Sequence, residues 1–141
     1  MELISENKIG IVKGTVVEEA AENNFKGETG EVGLYLAMSK QAQREGYPEI
    51  AEVLKTIAVE EAWHAAGYAE LTGRISDSTE ENLQRMMKGE EGANRYKRES
   101  AVKSKEAGID EAHDFFDVSA RDEARHARAI KGLLDRYFKQ G

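Results

Sequence analysis

From residue 50 to 71 the stripe Ile50, Leu54, Ile57, Glu61, His64, Tyr68 and Leu71 steps by four and three residues, and Ala112, Phe116, Ser119, Glu123, His126, Ile130 and Leu133 repeat the rhythm. That spacing is the seam of a packed helix, whose face should be apolar throughout. Each stripe keeps its register yet places a Glu and a His, three residues apart, where leucine would be expected. No segment shows the period-two alternation of a half-buried strand.

Helix boundaries are well punctuated. Thr15 with Glu18 fits a capping box opening a helix that runs to about Gly46, and Pro48 suits the first turn of a second helix ending near Gly73. A third helix is expected to start near Thr79 and stop before Gly108, with Asp110 capping a fourth that reaches Phe138. The predicted fold is all-α: one domain over residues 1–141, built as a first hairpin over about 15–72 and a second over about 79–138.

The hairpins are two copies of one pattern. Adding 62 to each position of the first stripe gives the second, and the same shift carries KGETG at 26–30 onto KGEEG at 88–92 and Gly46 onto Gly108. In each copy 33 residues separate a first-helix Glu from a second-helix Glu (28 to 61, 90 to 123), and a His follows three later. A two-fold-related pair of hairpins brings both sets to one level of a bundle.

Residues three apart lie on one helix face, so each Glu-x-x-His aims oxygen and nitrogen donors at the same point. One Glu from each of two helices plus a Glu-x-x-His from each of the others is the ligand set of carboxylate-bridged di-iron and di-manganese bundles. Glu28, Glu61, His64, Glu90, Glu123 and His126 fill it. Unpaired carboxylates in an apolar core would take up protons, whereas two divalent cations balance four of them. The mixed oxygen and imidazole set suits iron or manganese better than calcium. A lone Glu-x-x-His is usually a surface accident; two in the apolar register, each preceded at equal distance by a Glu, point to metal.

Composition narrows the field. The 141 residues carry a net charge of -7 and no basic stripe to neutralise phosphates, so nucleic acid is not an expected partner. No stretch of about 18 apolar residues occurs, so no membrane span is expected, and the N-terminal residues lack the apolar core of a signal peptide. A cytoplasmic location is the expectation. With no cysteine, disulfides, thiolate nucleophiles and cysteine-ligated iron are excluded, so any metal is held by Glu, Asp and His.

These residues resemble the rubrerythrin branch of the ferritin-like superfamily, most closely the four-helix domain of reverse rubrerythrins. The resemblance runs from NKIG at 7–10 through FKGETGEVGLYLAMSKQAQREGYPEIAEVLKTIAVEEAWHAA to DEARHARAIKGLLDRYF. It implies a ferritin-like four-helix bundle with two iron ions as cofactor, manganese or zinc being alternatives as loaded. It also implies reduction of hydrogen peroxide, and in some members dioxygen, to water. Two departures stand out. Rubrerythrins carry a rubredoxin-like module with four cysteines, and this chain has none, so an external rubredoxin-like protein is the expected electron donor. Typical members also show Glu-x-x-Glu in the third helix, whereas Ala93 follows Glu90 here.

Glu31, three after Glu28, offers the replacement carboxylate, as in reverse rubrerythrins, and the 62-residue shift maps it onto Ala93. It is read as a metal ligand and catalytic group that favours the oxidised ions. Tyr35, one heptad after Glu28, stands where the resemblance puts a tyrosine beside the iron pair, as a source of a proton or hydrogen bond. Asp122 and Glu60 are candidate partners for the second ring nitrogens of His64 and His126. Trp63 is read as covering the stripe and His113 as lying off it. Gly27, Gly30 and Gly33 suggest close backbone approach or distortion near Glu28.

The middle connection bears on assembly. A link between parallel second and third helices spans roughly 27 Å along the axis, and eight extended steps reach only about 26–29 Å. Exchange of hairpins in a homodimer is therefore favoured over a closed monomer. Two other functions compete: a ferroxidase or iron-storage protein, and a metal-free helical interaction module.

Overall fold

The computed structural model describes residues 9–139. Its helices are α1 (Glu18–Arg44), α2 (Pro48–Leu71), α3 (Thr79–Glu106) and α4 (Asp110–Tyr137), with no strand among the described residues. α1 packs on α2 and α3 on α4, giving two compact units divided between Asp77 and Ser78. These are the two hairpins that the sequence repeat predicts.

The hairpin turns and the end of α2 share one device. Gly46, Gly73 and Gly108 have φ of 85°, 70° and 72°, a conformation glycine enters without a Cβ clash. The next residue then returns to the helix: Tyr47 N–H bonds Ala42 O at 2.8 Å, Arg74 N–H bonds Ala69 O at 2.9 Å, and Ile109 N–H bonds Ser104 O at 3.0 Å. These are the six-to-one bonds of a Schellman ending, which satisfy otherwise orphaned carbonyls. Pro48 opens α2 as predicted, and Ser78 caps α3 by accepting from Glu81 N–H at 3.2 Å.

Two starts differ from expectation by one or two residues. α1 begins at Glu18, because the Thr15 hydroxyl donates to Val12 O at 2.7 Å and serves the preceding turn, while the Glu18 carboxylate reaches back to Gly14 N–H at 2.7 Å. Asp110 is the first residue of α4 rather than its cap, where its charge favours the positive end of the helix. Ahead of α1, residues 10–12 close on the end of α2 through Gly10 N–H to Glu70 O at 2.7 Å and Val12 N–H to Leu71 O at 3.2 Å. Lys13 lies across Gly73, where a Cβ would stand 2.7 Å from its Cε and Nζ.

The seam inside each hairpin lies one position beyond the predicted stripe. Ala51, Ala58 and Ala65 of α2 are buried against α1, which contributes Ala21, Ser39 and Ala42; in the second hairpin Ala101 faces inward with Ala120 and Leu134. Small residues let the paired backbones approach, so alanine outcompetes the larger neighbours for the innermost line. Many larger apolar side chains are exposed on each hairpin, among them Leu34, Met38, Ile50, Val59 and Trp63 on the first, and Tyr96, Val102, Phe115, Val118 and Leu133 on the second.

Candidate functional site

Each hairpin gathers its own ligand group. In the first, α1 supplies Glu28 and α2 supplies Glu61 and, one turn later, His64. The His64 Nδ1 atom lies 3.1 Å from Glu61 Oε2 and 3.6 Å from Glu28 Oε2. In the second, α3 supplies Glu90 and α4 supplies Glu123 and His126, with His126 Nδ1 3.2 Å from Glu123 Oε2 and 3.5 Å from Glu90 Oε2. Within each group one donor atom per residue lies within 4.8 Å of the other two. The copies agree to 0.1 Å in both distances, so the sequence repeat is a repeat of geometry.

The first group carries the marks of a site built for a cation. Glu28 Oε2 is buried without a hydrogen-bond partner, a state that disfavours an anionic oxygen unless a positive charge approaches it. Sharing a hydrogen bond with Glu61, together with partial burial, holds the Glu28 carboxyl above the ordinary carboxylate value, while the bonds from Glu28 and His64 hold Glu61 below it. The Glu61 bond and the charge of Glu28 raise the His64 imidazole. These opposed shifts mark crowded negative charge that a metal ion would relieve, and the carboxylate and imidazole donors fit iron or manganese.

The remaining predicted residues lie around these groups. Glu31 belongs to neither; it is exposed on α1, close enough for its charge to raise Glu28 further. Tyr35 is half-buried two turns after Glu28. Asp122 accepts from Arg125 of its own helix at 3.0 Å, and Glu60 is exposed. His113 lies outside both groups, with Nδ1 3.0 Å from Asp114. At Gly27, Gly30 and Gly33 an added Cβ would meet nothing within 4 Å and α1 runs through unbroken, so the expected close approach or distortion is not seen there.

Sequence reasoning missed two residues of the second hairpin. Lys97 Nζ pairs with Glu123 Oε1, and Asn94 Nδ2 donates to Ala120 O at 2.6 Å, one turn before Glu123. The 62-residue shift that maps the ligands pairs Lys97 with Tyr35 and Asn94 with Val32, so the sequence shows a departure from the repeat there and not the contact.

Beside the first group an open hollow of about 480 Å³ is lined by Glu28, Trp63, His64, Gly67, Tyr68 and Leu71. Trp63, 75% exposed, forms part of its wall, so the ligands can be reached by a small molecule. No helix among the described residues is long and apolar enough to cross a membrane.

Comparison with known proteins gives concordant matches. The family model described as Rubrerythrin matches residues 19–134. An uncharacterized protein of Methanocaldococcus jannaschii is 61% identical over 139 residues, covering 99% of each chain. Reverse rubrerythrin-1 of Clostridium acetobutylicum is 50% identical over 137 residues, covering 95% of this chain and 76% of the relative.

Proposed function

Because the chain belongs to the rubrerythrin family, of the ferritin-like four-helix class, we propose that it is a di-iron peroxidase that reduces hydrogen peroxide, or dioxygen, to water. Glu28, Glu61 and His64 would hold one ion, and Glu90, Glu123 and His126 the other. The observation that carries this reading is the duplicated carboxylate and imidazole group, equal to 0.1 Å in both hairpins, with a buried Glu28 oxygen lacking any hydrogen bond. When bound, the iron pair supplies the two electrons that cleave a peroxide O–O bond.

The protein's own groups do the rest. The four carboxylates set the charge of the site, and the two Nδ1 atoms complete the donor set. Glu31 adds a further negative charge near Glu28, which favours the oxidised ions. The half-buried Tyr35 hydroxyl is the proposed proton donor to the leaving oxygen. The hollow beside Trp63 admits an oxidant of a few atoms. In this proposal the electrons that restore the ferrous pair come from a rubredoxin-like donor.

A homodimer belongs to the same proposal, because two helices cannot bury a full core and the exposed larger apolar side chains of each hairpin suit a hairpin of a second copy. Sedimentation at twice 15.7 kDa is expected, and a monomer at micromolar concentration would remove it. The activity is tested by stopped-flow mixing of the reduced, iron-loaded protein with peroxide. Rapid oxidation of two ferrous ions per peroxide is expected. Oxidation no faster than that of free ferrous ion rejects the peroxidase, and iron loading far beyond two per chain turns the reading to storage.

A further inference from the structure

The matched geometry of the two ligand groups conceals unequal charge. Around the first group stand three carboxylates, Glu28, Glu61 and the nearby Glu31. Around the second stand two carboxylates, Glu90 and Glu123, and the ammonium of Lys97, bound to Glu123 Oε1. Both members of that pair are largely shielded, with side chains 28% and 14% exposed, so solvent screens it less than a surface ion pair. Counting carboxylates and the ammonium alone, the balance is three negative charges against a net one.

The difference is local and built by α3. Lys97 and Asn94, one turn apart, both reach α4 at the turn from Ala120 to Glu123. The repeat puts Tyr35 and Val32 at the corresponding positions of α1, where neither can supply a cation. Glu123 is thus already neutralised and held in place, while Glu28 keeps a buried oxygen without a hydrogen bond.

We propose that Lys97 makes the two metal positions unequal: the first hairpin loads its cation first and more tightly, and Lys97 acts as a positioning residue that holds Glu123 and competes with the second cation. This rests on the reading that each ligand group takes one ion. A divalent ion entering the second group meets a fixed positive charge on one of its ligands, which lowers its affinity directly. An ion entering the first meets Glu28 and Glu61 with the charge of Glu31 nearby, and among the described residues no lysine is paired with either ligand.

The experiment is calorimetric titration of the metal-free full chain with manganous ion, with circular dichroism to confirm folding of each variant. Two separate binding steps are expected. Glu61→Gln should abolish the tighter step and Glu123→Gln the weaker. Lys97→Met should tighten the weaker step by about tenfold and draw the two together, while Lys97→Arg keeps them apart. Tightening on removal of a side chain is a sign that a purely structural role would not give, since loss of support weakens binding. Two equal steps in the native chain, or a second step that weakens or stays unchanged in Lys97→Met, overturns the role of Lys97 and leaves the metal sites standing. Absence of any binding in the native chain overturns both.

Discussion

The two hairpins place the same three donor types at matching distances, and each stands in a different chemical setting. In the first, α1 carries Val32 and Tyr35 at the repeat positions and a further carboxylate, Glu31, near Glu28, whose buried oxygen stays without a hydrogen bond. In the second, α3 answers with Asn94 and Lys97, and one turn away Arg98 pairs with Asp117, which Arg121 also contacts at 2.5 Å. The repeat keeps the candidate ligands and differs in the groups that touch them. Groups around the ligands tune affinity and potential without disturbing the geometry.

The largest effect expected from breaking this comparison comes from removing one imidazole at a time. Changes to groups that merely orient a ligand already cost about 10–100-fold in metal affinity, and loss of a direct ligand costs more. His64→Ala and His126→Ala should therefore each leave one ion per chain after gel filtration, measured by elemental analysis. Retention of two ions in either variant would show that its hairpin does not hold a metal in the way described.

Next in size are the seams. Ala58 and Ala120 are 1% and 0% exposed at corresponding positions, so Ala58→Leu and Ala120→Leu should each force the paired helices apart, at a cost of about 1–3 kcal/mol. Urea unfolding of the metal-free chain measures it, with the midpoint falling in both variants. An unchanged midpoint in one of them would mark that seam as loosely packed.

The seams also show what the sequence could and could not reveal. Helix number, order and ends were legible because glycine and proline act locally: Gly46 and Gly108 end helices through their own φ, and Pro48 starts one. The ligand set was legible because Glu61 with His64 and Glu123 with His126 interrupt an otherwise apolar register. The line buried inside each hairpin was not legible, because hydropathy draws the eye to Ile57 and Leu133, whereas close helix separation selects Ala58 and Ala120, and only the packed backbone shows which positions meet within a hairpin. Lys97 escaped because lysine on a polar helix face looks solvated. Its meaning depends on which α4 turn it meets, a tertiary fact. The start of α1 moved because Thr15 has two hydrogen-bonding options and takes the carbonyl behind it.

A smaller effect separates protons from metal at the first hairpin. His64 is raised from 6.5 and Glu28 from 4.5, so the folded metal-free chain holds protons that the unfolded chain has released. By linkage the stabilisation from His64 is fully present below about pH 6.5 and is lost as pH rises through its folded value. Glu28 behaves alike from about pH 4.5 upward. Glu61, lowered, has the opposite sign, its contribution being present above 4.5 and lost as pH falls through its folded value. Metal binding must expel the protons on His64 and Glu28, so manganese affinity at this group should rise with pH across the window in which their contribution to the metal-free fold declines. Thermal melts with and without manganese from pH 5.5 to 8 should therefore diverge with rising pH, and His64→Gln should reduce that divergence. Parallel curves in the native chain would show that His64 is not displaced from its proton by the ion.

The smallest expected effect isolates the seam from the ligands. Ser39 is 3% exposed and donates its hydroxyl to Ala51 O at 2.9 Å, while the repeat places Ala101, 3% exposed, at the corresponding position of the second hairpin. Ala51 O sits inside α2, so it keeps a backbone partner when the serine is removed, and no buried acceptor is stranded. Ser39→Ala should then cost only about 0.5–1 kcal/mol, the net worth of one intramolecular hydrogen bond. Metal affinity should not change, because the nearest ligands, Glu28 and Glu61, lie several turns away. A loss above about 2 kcal/mol would mean that the hydroxyl fixes the separation of α1 and α2, a job that Ala101 does by size alone in the other hairpin.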